Sequence, residues 1–413
     1  MSNYPFVSQG VGKHTLLLVS FLIIIIAWSF ATFTHYSNYV AYPMLALWLI
    51  QVLSLTKLLS KNERTFIRVS LLYLMIVIFY WLIGYSKTII GDVLVSTSWI
   101  LTGVFAIYAM KLFNERELSV IYITILLSAF ILIYFFIKMG RTLLAMDEAG
   151  EAALVTSAWY GSLFMLLSGL SLILFIHVKK LFVRIVALIL LLLTLYLNII
   201  VLQRGTNVIF TMALVGIILV FTLKNKSLVV LLTIIIGLLS VFIYSSGLLV
   251  NMFDWIADVV PSERLASRFH EISIALYYED IKASRGSLSG RSDLIGVSWE
   301  TFTSGIGHFI FGVGEHFGDN MIIGHHSFFI DTLARYGIIG GAVMFVYFKK
   351  QYQIIMSELD KKTDWALYMQ CAAVFIFYVL RNFYGQVAYA LVNIFILMFF
   401  PLTFQIIKYF KFK

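Results

Sequence analysis

The sequence predicts an all-α polytopic membrane protein of about twelve transmembrane helices, with a large, partly helical extracytoplasmic loop between spans nine and ten. Three observations predict it. Hydrophobic residues make up 61% of the 413 positions and charged residues only 12%, whereas soluble domains run near half apolar and a quarter charged; mean hydropathy is +0.95. The apolar runs reach the roughly 20 residues that a helix needs to cross hydrocarbon. Lipid offers the backbone no hydrogen bonds, so such runs must satisfy themselves as helices; a transmembrane barrel would instead alternate over segments of about 10 residues.

The expected spans are Thr15–Phe33, Tyr39–Leu58, Phe66–Gly84, Val93–Leu112, Leu118–Ile137, Ser157–His177, Leu181–Leu202, Thr206–Leu223, Ser227–Ser245, Phe328–Phe348, Trp365–Val379 and Tyr389–Ile407. Laid out in alternation, they put nineteen Lys and Arg residues on one side, Lys13, Lys61, Arg64, Lys111, Lys179, Lys350 and Lys411 among them. The short loops on the other side hold five: Lys87, Lys138, Arg141, Arg204 and Arg381. Basic residues favour the cytoplasmic side, so both termini are expected in the cytoplasm and the long loop outside. The net charge of +9 is accounted for by these flanks, and nucleic acid is not expected as a partner; membrane lipids are. Cys371 is the single cysteine and falls in an apolar run, which excludes an intramolecular disulfide and a cysteine metal site. The first apolar run is too long for a signal-peptide core and lacks a small-residue cleavage site, so it is expected to be a retained span.

Residues 1–413 read as a single integral membrane domain with the extracytoplasmic loop, residues 250–325, inserted within it. A loop of that length is functional or separately folded. Within it, Leu265, Phe269, Ile272 and Leu276 recur at helical spacing and predict a helix over Ser262–Ala283. Gly286 to Ser292 reads as a break, with a second helix over Asp293–Phe302 started by Ser292 or Asp293. The segments Gly305-Ile-Gly-His and Gly312-Val-Gly-Glu-His-Phe-Gly then supply glycine-rich turns. No repeat of 20–50 residues is visible.

Ionisable groups beside hydrocarbon are expensive and point to function. Arg204, Arg291, Arg335 and Arg381 stand out. Each has a plain alternative: Arg204 and Arg381 as snorkelling anchors, Arg291 as a partner at a helix start, and Arg335 as a structural group, since it lies about 180° from His326 on an ideal helix. His308, His316, His325 and His326 gather around the loop. No His-Glu-x-x-His or Cys pair accompanies them, so no metal site is expected; imidazole changes charge near neutral pH and suits a general base or a hydrogen-bonding group. The Gly312 segment follows no strand and precedes no Gly-Lys-Ser/Thr, which argues against a nucleotide loop.

The order Gln203-Arg204-Gly205, Gly290-Arg291-Ser292 with Trp299, Phe311-Gly312-Val313-Gly314, and His326-Ser327 followed by Gly337 and Gly340 resembles the O-antigen and capsular polysaccharide polymerases of the Wzy type and the related O-antigen ligases. The motifs cover about a third of the chain, and the span layout covers the rest. Ser327 stands where many ligases carry Asn. The resemblance implies a bacterial inner-membrane, metal-independent glycosyltransferase without a cofactor. It implies transfer of a growing glycan from undecaprenyl diphosphate to a new lipid-linked repeat unit, with inversion, and a chain-length regulator protein as a partner. Arg204 and Arg291 are expected to clamp the diphosphate, because guanidinium matches phosphate bidentately and stays charged. His326 is expected to be the general base. His325, Ser327, Trp299, Arg381 and Tyr384 are expected to contact sugar or carrier. Two rivals are an O-antigen ligase, with a lipid A core or other surface acceptor, and a flippase or transporter for lipid-linked oligosaccharide. Transporters show repeats and broken midplane helices, and the sequence displays neither.

Overall fold

A computed structural model gives the fold. It describes residues 11–30, 43–46, 48, 59–83, 90–113, 117–118, 120–131, 133–134, 153–198, 205–223, 227–229, 231–232, 234–235, 246–260, 263–278, 280, 287–314, 322–324, 326–357, 359, 364–383 and 395–411. Every regular element among them is helical. In chain order these are α1 (Val11–Phe30), α2 (Lys61–Leu82), α3 (Ile90–Leu112), α4 (Ala153–His177), α5 (Leu181–Tyr196), α6 (Gly205–Val220), α7 (Leu248–Val259), α8 (Glu263–Tyr277), α9 (Ser287–Thr303), α10 (Ile306–Phe311), α11 (Phe328–Met356), α12 (Trp365–Phe383) and α13 (Phe400–Lys411). A π-helical turn, Phe395–Phe399, leads into α13.

Among the described residues α2, α11 and α12 are long and apolar enough to cross a membrane. Shorter apolar helical stretches accompany them, among them Gly161–His177, Leu181–Tyr196 and Asn207–Val220. Helix α2 begins sharply. Ser60 accepts from the Glu63 amide at 3.3 Å while the Glu63 carboxylate accepts from the Ser60 amide at 2.7 Å, a reciprocal cap worth about 1 kcal/mol on its serine side.

Glu63 also pairs with Lys111 at the end of α3 at 3.1 Å, and Asn62 accepts from Lys350 of α11 at 3.1 Å. Three helices therefore present groups assigned to the basic side at one end of the bundle. Just inside that end, aromatic rings form much of the core. Phe21 stacks on Phe105 at 4.3 Å, Trp48 meets Phe105 edge-on at 4.5 Å, and Phe66 meets Tyr347 at 4.6 Å. Lipid-sized apolar side chains cover the outside; Phe79, Leu127, Phe182 and Phe345 are all exposed.

Two expectations are corrected here. The span expected at Phe328–Phe348 is part of α11, which continues to Met356 and is broken at Gly337, where φ is 62° and ψ is −163°. That combination belongs essentially to glycine. The predicted break over Gly286–Ser292 is also absent: α9 already begins at Ser287 and carries Gly290-Arg291-Ser292 inside it. A glycine near a helix start disturbs little, because the first four amides have no intrahelical partner to lose.

The break in α11 is filled from within. The Gly312-Val313-Gly314 segment lies against it, and the Val313 and Gly314 amides donate to the Ala334 and Arg335 carbonyls at 2.9 and 2.8 Å. These carbonyls belong to the last turn before the break, where a helix end orphans its acceptors. Tyr80 of α2 donates its hydroxyl to the Phe311 carbonyl. Gly312 and Gly337 both hold positive φ, and a Cβ on either would run into the other segment's backbone. The glycine turn is thus a backbone plug seated in a split helix. Tyr336, beside the break, contacts both Tyr73 and Tyr80 edge-on at 5.5 Å. At 1.5 Å per residue from Lys61, those tyrosines lie about 18 and 28 Å along α2, which puts the break well away from the basic end.

Candidate functional site

At the end of the bundle opposite Lys350, the start of α11 meets α9 through a closed polar network. Ser327 is the N-cap of α11; its hydroxyl accepts from the Ile330 amide at 3.4 Å. Its own amide donates to Asp331 Oδ2 at 3.1 Å. The other carboxylate oxygen, Oδ1, accepts from the Ser298 hydroxyl of α9 at 2.7 Å. Ser298 in turn accepts from the Gly324 amide at 2.9 Å. Asp331, Ser298 and Ser327 are each 0% exposed. A carboxylate in such a place is held by the donors that surround it. Gly324 is also pressed onto α9: a Cβ there would collide with the Leu294 carbonyl.

His326 sits in the middle of this network and is half-buried. Its Nδ1 lies 3.0 Å from the Gly324 carbonyl. A carbonyl only accepts, so Nδ1 carries the proton and the neutral ring keeps its lone pair on Nε2. Nε2 has no protein partner among the described residues. The orientation of the ring is therefore set by the same loop that Ser298 and Asp331 fix.

A second polar group forms where α6 begins and α12 ends. Arg381 is 3% exposed and donates its Nε to Asn207 Oδ1 at 3.0 Å. Asn198, just past α5, donates to Thr211 of α6 at 3.3 Å, and Thr211 donates to the Asn207 carbonyl at 2.6 Å. A snorkelling arginine would carry its head into water; Arg381 is instead buried where α12 meets α6. The two groups are joined by aromatic packing. Phe329, in the first turn of α11, stacks on Phe383, two residues beyond Arg381, at 4.4 Å.

The expected site residues are distributed as follows. His326, Ser327 and Arg381 gather at this end of the bundle. Arg291 lies on α9, seven residues before Ser298; its side chain is outside the described residues. Trp299 follows Ser298 and is 49% exposed, its ring 5.5 Å from Phe302. Arg204, His325 and Tyr384 lie outside the described residues, although Arg204 precedes Asn207 by only three positions. Ser327, expected to touch sugar, is engaged in capping α11. His308 lies apart from the network, paired with Ser304 at 2.6 Å. Among the described residues no three His, Cys, Asp or Glu side chains are grouped as metal ligands.

Asp331 and Ser298 were missing from the expected set. An acid in the first turn of a helix reads as a routine complement to its dipole. The signal that could have found Asp331 was a carboxylate at the head of an expected span, five residues after the candidate base.

No protein-family model matches the chain, and no curated protein matches it. The functional reading therefore rests on the residues and their geometry.

Proposed function

We propose that this chain is an integral membrane glycosyltransferase of the polysaccharide polymerase type, acting at the outer face of the bacterial inner membrane. In this reading about twelve helices cross the bilayer, both termini are cytoplasmic, and residues 250–325 form the extracytoplasmic loop. The carrying observation is the Ser298–Asp331–Ser327 link, which fastens the helix bearing Gly290-Arg291-Ser292 to the histidine at the head of a split helix. Motifs far apart in the sequence are thereby tied to one end of the bundle.

The chemistry follows from those groups. The donor is a glycan on undecaprenyl diphosphate, and the acceptor is a hydroxyl of the next lipid-linked repeat unit. The acceptor oxygen attacks the anomeric carbon while His326 Nε2 takes its proton. The anomeric C–O bond breaks, and the diphosphate leaves with the electron pair. Arg204 and Arg291 hold the negative charge as it develops. Arg381, braced by Asn207, adds a third guanidinium on the α6 side. Trp299 offers an exposed ring face for a sugar. Direct displacement inverts the anomeric centre and uses no metal and no cofactor.

An O-antigen ligase would run the same chemistry onto a lipid A core or other surface acceptor. Purified protein supplied with the lipid-linked repeat unit alone separates the two, because only a polymerase then makes a ladder of lengths. Transport is the reading from another class, and the break in α11 is the observation in its favour, since transporters bind ions at unwound helices. The carbonyls freed at Gly337 are already taken by the Val313 and Gly314 amides, which weakens it. The deciding experiment is the His326→Ala variant: chain extension is lost while protein level in the membrane is kept. Extension at the wild-type rate would overturn the reading.

A further inference from the structure

We infer that α7 is an in-plane membrane helix, with the face of Leu248, Met252, Trp255 and Val259 inserted at the headgroup and acyl-chain boundary of the outer leaflet. These four side chains are exposed, Trp255 at 63%. Their spacing of four, three and four residues confines them to an arc of about 60° on a helix. The rest of the helix has other uses. Phe253 stacks on Phe269 of α8 at 5.9 Å, and Ile256, Ala257 and Val260 pack with Leu265, Phe269 and Val208. Ser273 of α8 donates to the Val250 carbonyl at 3.3 Å. The hairpin is thus fixed in rotation, and the apolar stripe is held outward.

Its level in the molecule identifies the occupant. The hairpin rests on Val208, in the first turn of α6. On that same helix Ile209 and Met212 begin the row of exposed apolar side chains, which is the lipid-facing surface of a membrane bundle. The α7 stripe continues that surface sideways. Gly247, at φ 70°, turns the chain into α7 directly after the expected ninth span. A tryptophan at such a boundary matches the interfacial preference of indole. The polar flank of α7 carries Asn251, Asp254 and Asp258 rather than Lys or Arg. Attraction to anionic headgroups is therefore not the driving force, and burial of the apolar stripe is. Val208 adjoins Asn207, the partner of Arg381, so this lipid-seated hairpin borders the buried Arg381–Asn207 pair. The membrane reading and its outward side underlie the inference; the glycosyl-transfer chemistry does not.

The test uses the full chain in phosphatidylcholine proteoliposomes. In a Cys371→Ala background, single cysteines Leu248→Cys, Met252→Cys, Trp255→Cys, Val259→Cys, Asn251→Cys and Asp258→Cys are spin-labelled. Collisions with oxygen and with a water-soluble nickel chelate are then measured. The four stripe positions are expected to favour oxygen and the two flanking positions nickel, unchanged by added anionic lipid or raised salt. Free nickel collision along the stripe would overturn the inference, as water covers it. Protection from both reagents would also overturn it, as protein covers it. A check without cysteines follows tryptophan quenching by brominated phosphatidylcholine, which should drop in Trp255→Phe; equal quenching in both proteins would count against insertion.

Discussion

Replacing Asp331 by asparagine removes one acceptor from a buried network without changing its size. In the native protein Oδ1 takes the Ser298 hydroxyl at 2.7 Å and Oδ2 takes the Ser327 amide at 3.1 Å. Asparagine has a single acceptor oxygen. If that oxygen serves Ser327, the amide NH2 faces Ser298, and the serine hydroxyl proton is stranded where no water reaches. Stranding a buried donor costs about 1–3 kcal/mol. Relief by local shift moves Ser298, then the Gly324 amide bound to it, and with it the carbonyl that orients His326. If that cost falls on the reactive geometry, the extension rate drops about 5- to 150-fold. The assay is chain extension of a lipid-linked repeat unit in proteoliposomes, resolved into kcat and KM. The loss is expected in kcat, because the network touches the proposed base rather than the lipid anchor. Ser298→Ala breaks the same link, so the double variant should be little worse than either single one, with a coupling of about 0.5–3 kcal/mol. A wild-type kcat for Asp331→Asn, or simple additivity with Ser298→Ala, would refute the reasoning.

Gly337→Ala should abolish accumulation of folded protein, since the positive φ alone costs about 1–3 kcal/mol and the new methyl collides with the Ile310 carbonyl; membrane-fraction immunoblotting checks it. Gly216→Ala, where a Cβ meets nothing within 4 Å, should raise helix stability by about 0.5–1 kcal/mol, read as a small rise in thermal midpoint in detergent. Arg204→Lys and Arg291→Ala should each stop extension at normal protein level, because a point charge does not replace a bidentate fork and a methyl group supplies no charge at all; glycan ladders on a gel report it. Asn207→Ala should weaken extension by about 12- to 150-fold, as Arg381 loses a buried hydrogen bond to its charged group worth about 1.5–3 kcal/mol, and steady-state kinetics measure it.

Much of the helical layout was legible because hydropathy reports it directly. The expected runs at Phe66–Gly84, Val93–Leu112 and Trp365–Val379 correspond to α2, α3 and α12. The last runs on to Phe383, so it includes Arg381 rather than ending before it. The break at Gly337 was not legible: helical spacing runs on into Ile338 and Ile339, and periodicity carries no sign of a positive φ. The glycines of the Phe311-Gly312-Val313-Gly314 segment read only as a glycine-rich turn, whereas they are the plug for that break. The expected break over Gly286–Ser292 failed because glycine and serine near a helix start do not end it; the helix already begins at Ser287. Of the site, His326 was visible as an ionisable group beside an apolar run. Its support was not, since Ser298 and Asp331 are 33 residues apart and meet only through packing of α9 on α11.

The central claim is that His326, at the head of the split helix α11, serves an enzyme that lengthens lipid-linked glycan. The most direct measurement gives purified wild-type protein and His326→Ala the same lipid-linked repeat unit, with no other acceptor, and resolves the products by length. A ladder from the wild type and only the single unit from the variant is the predicted result. A single unit from both, or identical ladders from both, would contradict it.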